Sequence, residues 1–382
     1  MKNMLQQRIG KTGIAFRGYN VTNLGRTPEL LAHPAYGAVV ERHLKELSEI
    51  CADTIKRKVH LVRRVRTRRE GTLRSYAQNL ALIVAVELAQ IELLEQFFGV
   101  SYRDAELACG YSLGEVSALV CGGVYEVGAV LPPLLALAKD ASELARNVSM
   151  GVLFSRGPAL DFAAVKLLCQ QITNRGHGTI AISSYLSPNT GLLLGQGGTV
   201  DRFAKTMHDS LPAPVHLRKN PHHWPPMHTP ICWQRNIPNR AGVMLGTIPG
   251  GFTAPTPRVL SGVTGDFSYE AANSRELLCR WVDQPQRVWD VLDKTLASGV
   301  ETILHVGPEP NIMPATFKRL SIDVSSQLSG RSLTSMGLRA VSRIVRSRPW
   351  LTSLMSSDAT LLRAPFIEHI MLEDWLLEQE LP

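Results

Sequence analysis

Residues 109–115 read Cys-Gly-Tyr-Ser-Leu-Gly-Glu and centre Ser112 in the pattern G-x-S-x-G. Residues 105–109 before it read as a strand, and the chain from Glu115 onward reads as a helix. This is the layout of a nucleophile elbow: a tight strand-to-helix turn exposes the serine Oγ, and the glycines let the backbone pass close by. The helix N-terminus then turns unpaired N–H groups and a partial positive charge toward any oxyanion formed there. Chance produces many bare G-x-S-x-G patterns, and the flanking strand and helix set this one apart.

The 382-residue chain is long enough for one large domain or two ordinary ones. At 45% hydrophobic it can bury a substantial core, and 19% charged residues argue against wholesale disorder. The formal charge of +8 favours an acidic partner or an anionic substrate. No recognition motif for nucleic acid accompanies it, so nucleic acid is not an expected partner. Six widely spaced cysteines include no C-x-x-C, so neither a zinc knuckle nor a redox pair is suggested, and most sit in apolar runs as small buried hydrophobes. Residues 1–11 are polar and lack a signal-peptide core, and no apolar run reaches membrane-span length. A reducing cytoplasm is the expected location.

Outward from the elbow, Thr12–Phe16 reads as a strand, 33–50 as a helix and 73–98 as a long, all-round apolar helix, central and buried. Residues 56–69 are strongly basic. Residues 128–147 form another helix, with Pro132 and Pro133 placed in its first turn. Next come a strand (151–155), a helix (158–174), two strands (179–184 and 191–194) and a helix (200–210). This β-α-β-β-α order suggests a small α+β unit inserted in a larger α/β body. A Pro/His-rich segment (212–230) reads as loop. Residues 259–263 read as a strand, 274–297 as one helix and 302–306 as a strand. The Ser/Arg-rich stretch 321–357 reads as a mobile surface segment, and 366–381 as a terminal acidic helix.

A serine needs a base within hydrogen-bond reach, and histidine suits the task at neutral pH. Of eleven histidines, His216, His222, His223 and His228 fall in one segment. No Asp, Glu or Cys joins them at ligand spacing, so no metal is expected.

The chain resembles the malonyl-CoA:acyl-carrier-protein transacylases and the acyltransferase domains of polyketide synthases, as an atypical member. Residues 106–119 (ELACGYSLGEVSAL) are similar to the family's A-G-H-S-x-G-E-x-x-A-L block. Met227-His228-Thr229-Pro230 resembles F-H-S/T-P, which carries the catalytic histidine. Residues 76–82 (YAQNLAL) resemble Y-A-Q-P-A-L, Ser261-Gly262-Val263-Thr264-Gly265 resembles S-N-V-T-G, and His305-Val306-Gly307-Pro308 resembles E-V-G-P-G. Ala15-Phe16-Arg17-Gly18-Tyr19 is a degraded F-P-G-Q-G. The blocks run in family order from about residue 12 to 320.

The resemblance implies an α/β fold: a large, mostly parallel-sheet, hydrolase-like domain (12–148 and 220–322), a small ferredoxin-like subdomain inserted at 149–219, and a C-terminal extension (323–382). It implies Ser112 as nucleophile and His228 as general base. Backbone amides of Leu113 and Tyr19 would form the oxyanion hole, and a backbone carbonyl near Trp281 would orient the histidine. No bound cofactor is implied. Acyl-CoA would be the substrate, and the phosphopantetheine thiol of an acidic acyl carrier protein the acceptor.

The departures bear on substrate. Tyr111 stands where the family has His before the serine. The arginine that grips a malonyl carboxylate falls at Leu137 or Ala138; neither can replace it, and Lys139 is turned about 100° away. Met227 replaces a frequent Phe. Burying a carboxylate without a cation is costly, so the expected acyl group lacks a free carboxylate and packs on Leu137 and Met227. Gln78 lines the acyl pocket or hydrogen-bonds the elbow. Glu115 reads as a dipole-stabilising or packing residue. The basic run is a solvated face, or else docks a carrier protein or the CoA phosphates. The tail arginines (331, 339, 343, 346 and 348) belong to a linker or contact a partner. Two other functions remain open: a thioester hydrolase on the same scaffold, and a catalytically degenerate module that docks a carrier. A generic α/β-hydrolase esterase fits less well, because no motif places an acidic third member of a triad.

Overall fold

The computed structural model describes residues 4–156, 159–212, 214–329 and 360–380. After a short helix α1 (Met4–Arg8), β1 (Thr12–Phe16) starts a five-stranded, wholly parallel sheet. Its other strands are β2 (Leu107–Gly110), β7 (Val259–Leu260), β8 (Thr302–Val306) and β9 (Glu368–Met371), in the order β7-β2-β1-β8-β9. All five residues of β1 are buried, as expected of a central strand covered on both faces. β1 pairs with β2 on one side (Phe16 opposite Gly110) and with β8 on the other (Phe16 opposite Val306). The carboxyl ends of these three strands therefore open into one region.

Helices α2 (Thr27–Ala32), α3 (Gly37–Ile55), α4 (Leu61–Arg66), α5 (Tyr76–Phe98), α6 (Leu113–Cys121) and α7 (Val127–Ala145) cover the sheet. α5 is buried along almost its whole length and ends at Gly99, whose φ of 62° gives the left-handed cap that an L-residue resists. Only two long polar side chains of α5 are fully buried beside Asn79, namely Glu87 and Gln90. Pro132 and Pro133 lie in the second turn of α7, not the first.

The inserted unit runs β3 (Val148–Phe154), α8 (Phe162–Asn174), β4 (Ile180–Ser187), β5 (Thr190–Gln196), α9 (Thr199–Ser210) and β6 (His216–His223). Its antiparallel sheet has the order β4-β5-β3-β6, the ferredoxin-like βαββαβ arrangement. β6 is a strand where the Pro/His-rich segment was expected to be loop, and it carries the small sheet on to His223.

The expected single helix at 274–297 is two helices, α11 (Ser274–Trp281) and α12 (Val288–Ala297), after α10 (Ile237–Thr247). Pro285 lacks an N–H and disfavours helix at Gln284, so the chain opens between them. Gln286 in this gap forms a bridge with Ser184 of β4, exchanging Tyr185 N–H to Gln286 O (2.8 Å) and Gln286 N–H to Ser183 O (2.8 Å). The small sheet is thus fastened by its edge strand to the large domain.

The C-terminal part also departs from expectation. α13 (Ile312–Ser329) takes in the first residues of the Ser/Arg-rich stretch, and the five tail arginines lie outside the described residues. In place of one terminal helix there is a 3₁₀ turn (Leu361–Phe366), then β9, then α14 (Leu372–Glu378). β9 pairs in parallel with β8, so the last described residues belong to the main sheet. All six cysteines are free thiols. Among the described residues, no helix is long and apolar enough to cross a membrane.

Candidate active site

β2 ends at Gly110 and α6 starts at Leu113, leaving Tyr111 and Ser112 as the turn, with Ser112 at φ 53° and ψ −114°. The two glycines are needed for close approach. A Cβ on Gly114 would stand 2.5 Å from the carbonyl oxygens of Phe16 and Arg17, and one on Gly110 would strike the Gly114–Glu115 backbone. The first helical amide, Leu113 N–H, directly follows the serine and, as the first N–H of α6, has no intrahelical acceptor.

Ser112 Oγ lies 2.7 Å from His228 Nε2. The other ring nitrogen, Nδ1, lies 2.7 Å from the carbonyl oxygen of Trp281. A carbonyl only accepts, so Nδ1 carries the proton and Nε2 presents a lone pair to the serine hydroxyl. His228 is itself at φ 64° and is held by its N–H to Val282 O (2.9 Å). Burial pulls its pKa down to about 4, so the ring is neutral at pH 7. Trp281 also packs its ring edge-on to His228 (5.0 Å between centroids), and its indole N–H donates to Ser112 O at 3.1 Å.

Gln286, which the sequence reading left inside a helix, reaches the same place. Its side-chain amide lies 3.3 Å from His228 Nδ1, and its Oε1 lies 3.4 Å from Ser112 N. The helix-breaking Pro285 was the available signal for it. Glu115 faces away from the serine: it accepts from Gly262 N (3.0 Å) and from Tyr269 OH (2.6 Å). Burial raises its pKa to about 7, and it fastens the 261–269 loop under the elbow.

The loop after β1 carries Tyr19, which lines the same cavity as Leu113. Its root is Arg17, fully buried, whose guanidinium donates to the carbonyl oxygens of Gly18 (2.8 Å) and Pro308 and to Asn23 Oδ1 (2.9 Å). Arg17 N donates to Glu87 Oε1 (3.0 Å), and Ser117 of α6 donates to Glu87 Oε2 (2.6 Å). One buried carboxyl group thus joins the Tyr19 loop to the elbow helix. Neither Arg17 nor Glu87 carries a motif signal of its own role.

A narrow cavity of about 40 Å³ leads from Ser112 into the large domain. Tyr19, Leu113, Leu137, Ala138 and Met227 line it, with Tyr76, Leu80 and Leu134 beside them. No lining residue is charged, and Lys139 is exposed on the other side of α7. Two expected pocket residues lie elsewhere. Gln78 is two positions from both Tyr76 and Leu80, about 200° around α5, so it faces away from the cavity. Tyr111 turns to the small subdomain, where its hydroxyl meets Ser184 Oγ at 3.0 Å.

The basic run lies next to the site. Glu70 accepts the amides of Asn23 (2.9 Å) and Leu24 (3.1 Å), and Arg64 donates to Asn79 Oδ1 (2.6 Å). His216, His222 and His223 lie on β6, away from His228, and no His/Cys/Asp/Glu group among the described residues has the arrangement of a metal site.

No family model matches the chain. The malonyl CoA-acyl carrier protein transacylase of Salmonella typhimurium is similar to it, 27% identical over 237 residues that span 61% of this chain and 72% of that protein. Among solved structures, the FabD of Acinetobacter baumannii superposes with a TM-score of 0.64 at 18% identity, covering 81% of this chain and 91% of that one. The acyl carrier protein S-malonyltransferase of Vibrio cholerae gives 0.62 at 19% identity, covering 81% and 93%. The complex PlMCAT:AntF, a type II polyketide-synthase acyl-carrier protein with its malonyl-transacylase, gives 0.61 at 20% identity, covering 80% and 92%. The likeness to the transacylases seen in the motif blocks holds in overall sequence and in the two-subdomain fold.

Proposed function

We propose that this chain is a serine acyltransferase that moves an acyl group lacking a free carboxylate from coenzyme A, or from a carrier protein, to the phosphopantetheine thiol of an acyl carrier protein. The observation that carries the reading is the 2.7 Å contact between Ser112 Oγ and His228 Nε2 at the mouth of a cavity with no charged lining residue.

In the first half-reaction, Ser112 Oγ attacks the thioester carbonyl while its proton passes to His228 Nε2. The imidazolium so formed keeps its Nδ1–H on Trp281 O. The amides of Leu113 and Tyr19 hold the oxyanion. Collapse expels the coenzyme A sulfur, which takes the proton from Nε2 and leaves an acyl-serine. In the second half, the carrier thiol gives its proton to Nε2 and attacks the acyl-serine. The serine oxygen leaves and recovers that proton.

The substrate follows from the lining. Leu137 and Ala138 stand where the transacylase pattern has its arginine, and a carboxylate there would be desolvated without a partner. An acetyl group, or a longer or branched acyl chain, fits the apolar walls.

Intact-protein mass spectrometry after incubation with a panel of acyl-CoAs tests the proposal, with Ser112→Ala as control. A stable mass gain from uncharged acyl donors, absent in the control and discharged by a carrier protein, is the expected result. Equal or faster loading from malonyl-CoA overturns the substrate assignment. Free acid released without an acceptor marks a hydrolase. No adduct and no acid from any donor leaves only a docking module, against which the aligned dyad speaks.

A further inference from the structure

We infer that the C-terminal helix α14 belongs to the catalytic apparatus through Glu373, a positioning residue that clamps the loop carrying the Tyr19 amide. The inference rests on the oxyanion role proposed for that amide.

Glu373 is 2% exposed, and its two oxygens are spent on two different stretches of backbone. Oε2 accepts Arg26 N–H at 2.9 Å, at the exit of the Tyr19 loop. Oε1 accepts Glu309 N–H at 2.9 Å, in the turn after β8. That turn is also where the loop's entrance is anchored, because Arg17 donates to Pro308 O, one residue earlier. A single carboxylate therefore ties the exit of the loop to the turn that holds its entrance. Gly25 makes the approach possible: at φ 45° it lies so close that a Cβ would stand 2.5 Å from Glu373 Oε2.

Between these anchors the loop keeps its shape by internal bonds. Asn23 Oδ1 accepts from Asn20 N (3.1 Å) and from Arg17 (2.9 Å), and Glu70 accepts the amides of Asn23 and Leu24. Four backbone amides of the loop, those of Asn20, Val21, Asn23 and Leu24, thus sit on side-chain acceptors, and Tyr19, which carries the proposed oxyanion donor, lines the cavity. Outside the clamp, Arg26 pairs with Asp374 (2.9 Å) and Glu29 at half-exposed positions. These exposed pairs are weak and serve as a control.

Removing the clamp frees both the loop exit and the Glu309 turn. The oxyanion donor then loses its fixed distance to the reacting carbonyl. A misplacement of about 1 Å costs on the order of 10²-fold in rate, and the loss of one donor costs 10²–10³-fold, so partial displacement falls at about 10–100-fold.

The test is single-turnover loading of Ser112 from an uncharged acyl-CoA, with rates normalised to the number of active sites that finally take up acyl group. Glu373→Ala should load about 10–100-fold more slowly at saturating donor, with the half-saturating concentration unchanged. Glu373→Gln keeps one acceptor oxygen and should fall between it and the wild type. Asp374→Asn should load at the wild-type rate. Gly25→Ala, which pushes the carboxylate away while keeping it, should slow loading in the same manner and stands in should Glu373→Ala fail to fold. Wild-type rates per active site in Glu373→Ala or Gly25→Ala overturn the role, as does a change confined to thermal stability or to half-saturation. A wild-type protein that never loads Ser112 overturns the acyltransferase proposal itself and this role with it.

Discussion

Ser112 and His228 both sit at positive φ, 53° and 64°, where non-glycine residues cost about 1–3 kcal/mol each. The surrounding bonds hold them there: Trp281 alone contributes a carbonyl, an indole N–H and a ring face. The neutral imidazole has a consequence for pH. With its pKa drawn down to about 4 by burial, Nε2 remains an acceptor across the neutral range. Loading of Ser112 should stay flat from pH 8 to about 5 and fall tenfold per unit below about 4, read from single-turnover rates in pH-jump experiments. The cavity supports a second prediction. Leu137→Arg should place a guanidinium against the acyl group, so malonyl-CoA loads and long uncharged donors do not, at a cost in melting temperature for the buried charge. Mass spectrometry across the same donor panel checks it. Ser112 and His228 were legible in the chain because each lies in a short contiguous pattern. Gln78 was misplaced because a motif match says nothing about helix phase, and Arg17, Glu87 and Glu373 were invisible because they act through partners distant in sequence: Arg17 lies 70 positions from Glu87 and 291 from Pro308, and Arg26 lies 347 from Glu373.

At the scale of elements, the informative interruption is the gap between α11 and α12. Read as one helix, 274–297 would have buried Trp281 and Gln286 on different turns of a continuous cylinder. Opened by Pro285, it turns the Trp281 carbonyl to His228 and hands Gln286 to β4. Trp281→Phe keeps the carbonyl and a ring against His228 and removes only the indole N–H to Ser112 O. It should destabilise the protein by about 1 kcal/mol, read from denaturant unfolding, and slow loading several-fold. β6 was unreadable for a physical reason. It is an edge strand that pairs only with β3, it contains Pro221, and most of its side chains are exposed, so it shows no alternation of apolar and polar residues. β9 was missed because four residues are too few to carry a period, and its pairing partner β8 lies more than sixty positions earlier. The long helices, by contrast, announced themselves through sustained apolar content, α5 most clearly.

Across the whole molecule, buried ionisable groups set how stability responds to pH. Glu87 is raised by burial to about 8, and Glu115 and Glu373 to about 7, all above their unfolded values. A group raised in the folded state favours folding while protonated, and that contribution is lost as pH climbs through the folded value. The buried His228, His305 and His369 are depressed, and their contribution is lost as pH falls below about 6.5. The two sets oppose each other between about pH 4.5 and 6.5, which leaves a net loss on the alkaline side. The melting temperature should therefore drop between pH 6.5 and 8, and Glu87→Gln should flatten that drop in a series of thermal scans.

The pairing of β1 with β8 has a temporal side. Residues 12–16 leave the ribosome well before their second neighbour, Thr302–Val306, which emerges almost three hundred residues later. At 5–20 residues per second the interval is roughly 15–60 s, during which a strand whose every residue is buried in the folded sheet has an edge unmatched. The nascent chain must spend that time either sheltered by a chaperone or at risk of pairing with a neighbour on the same polysome, and its yield in a cell is governed by the pace of synthesis as much as by the depth of the folded minimum.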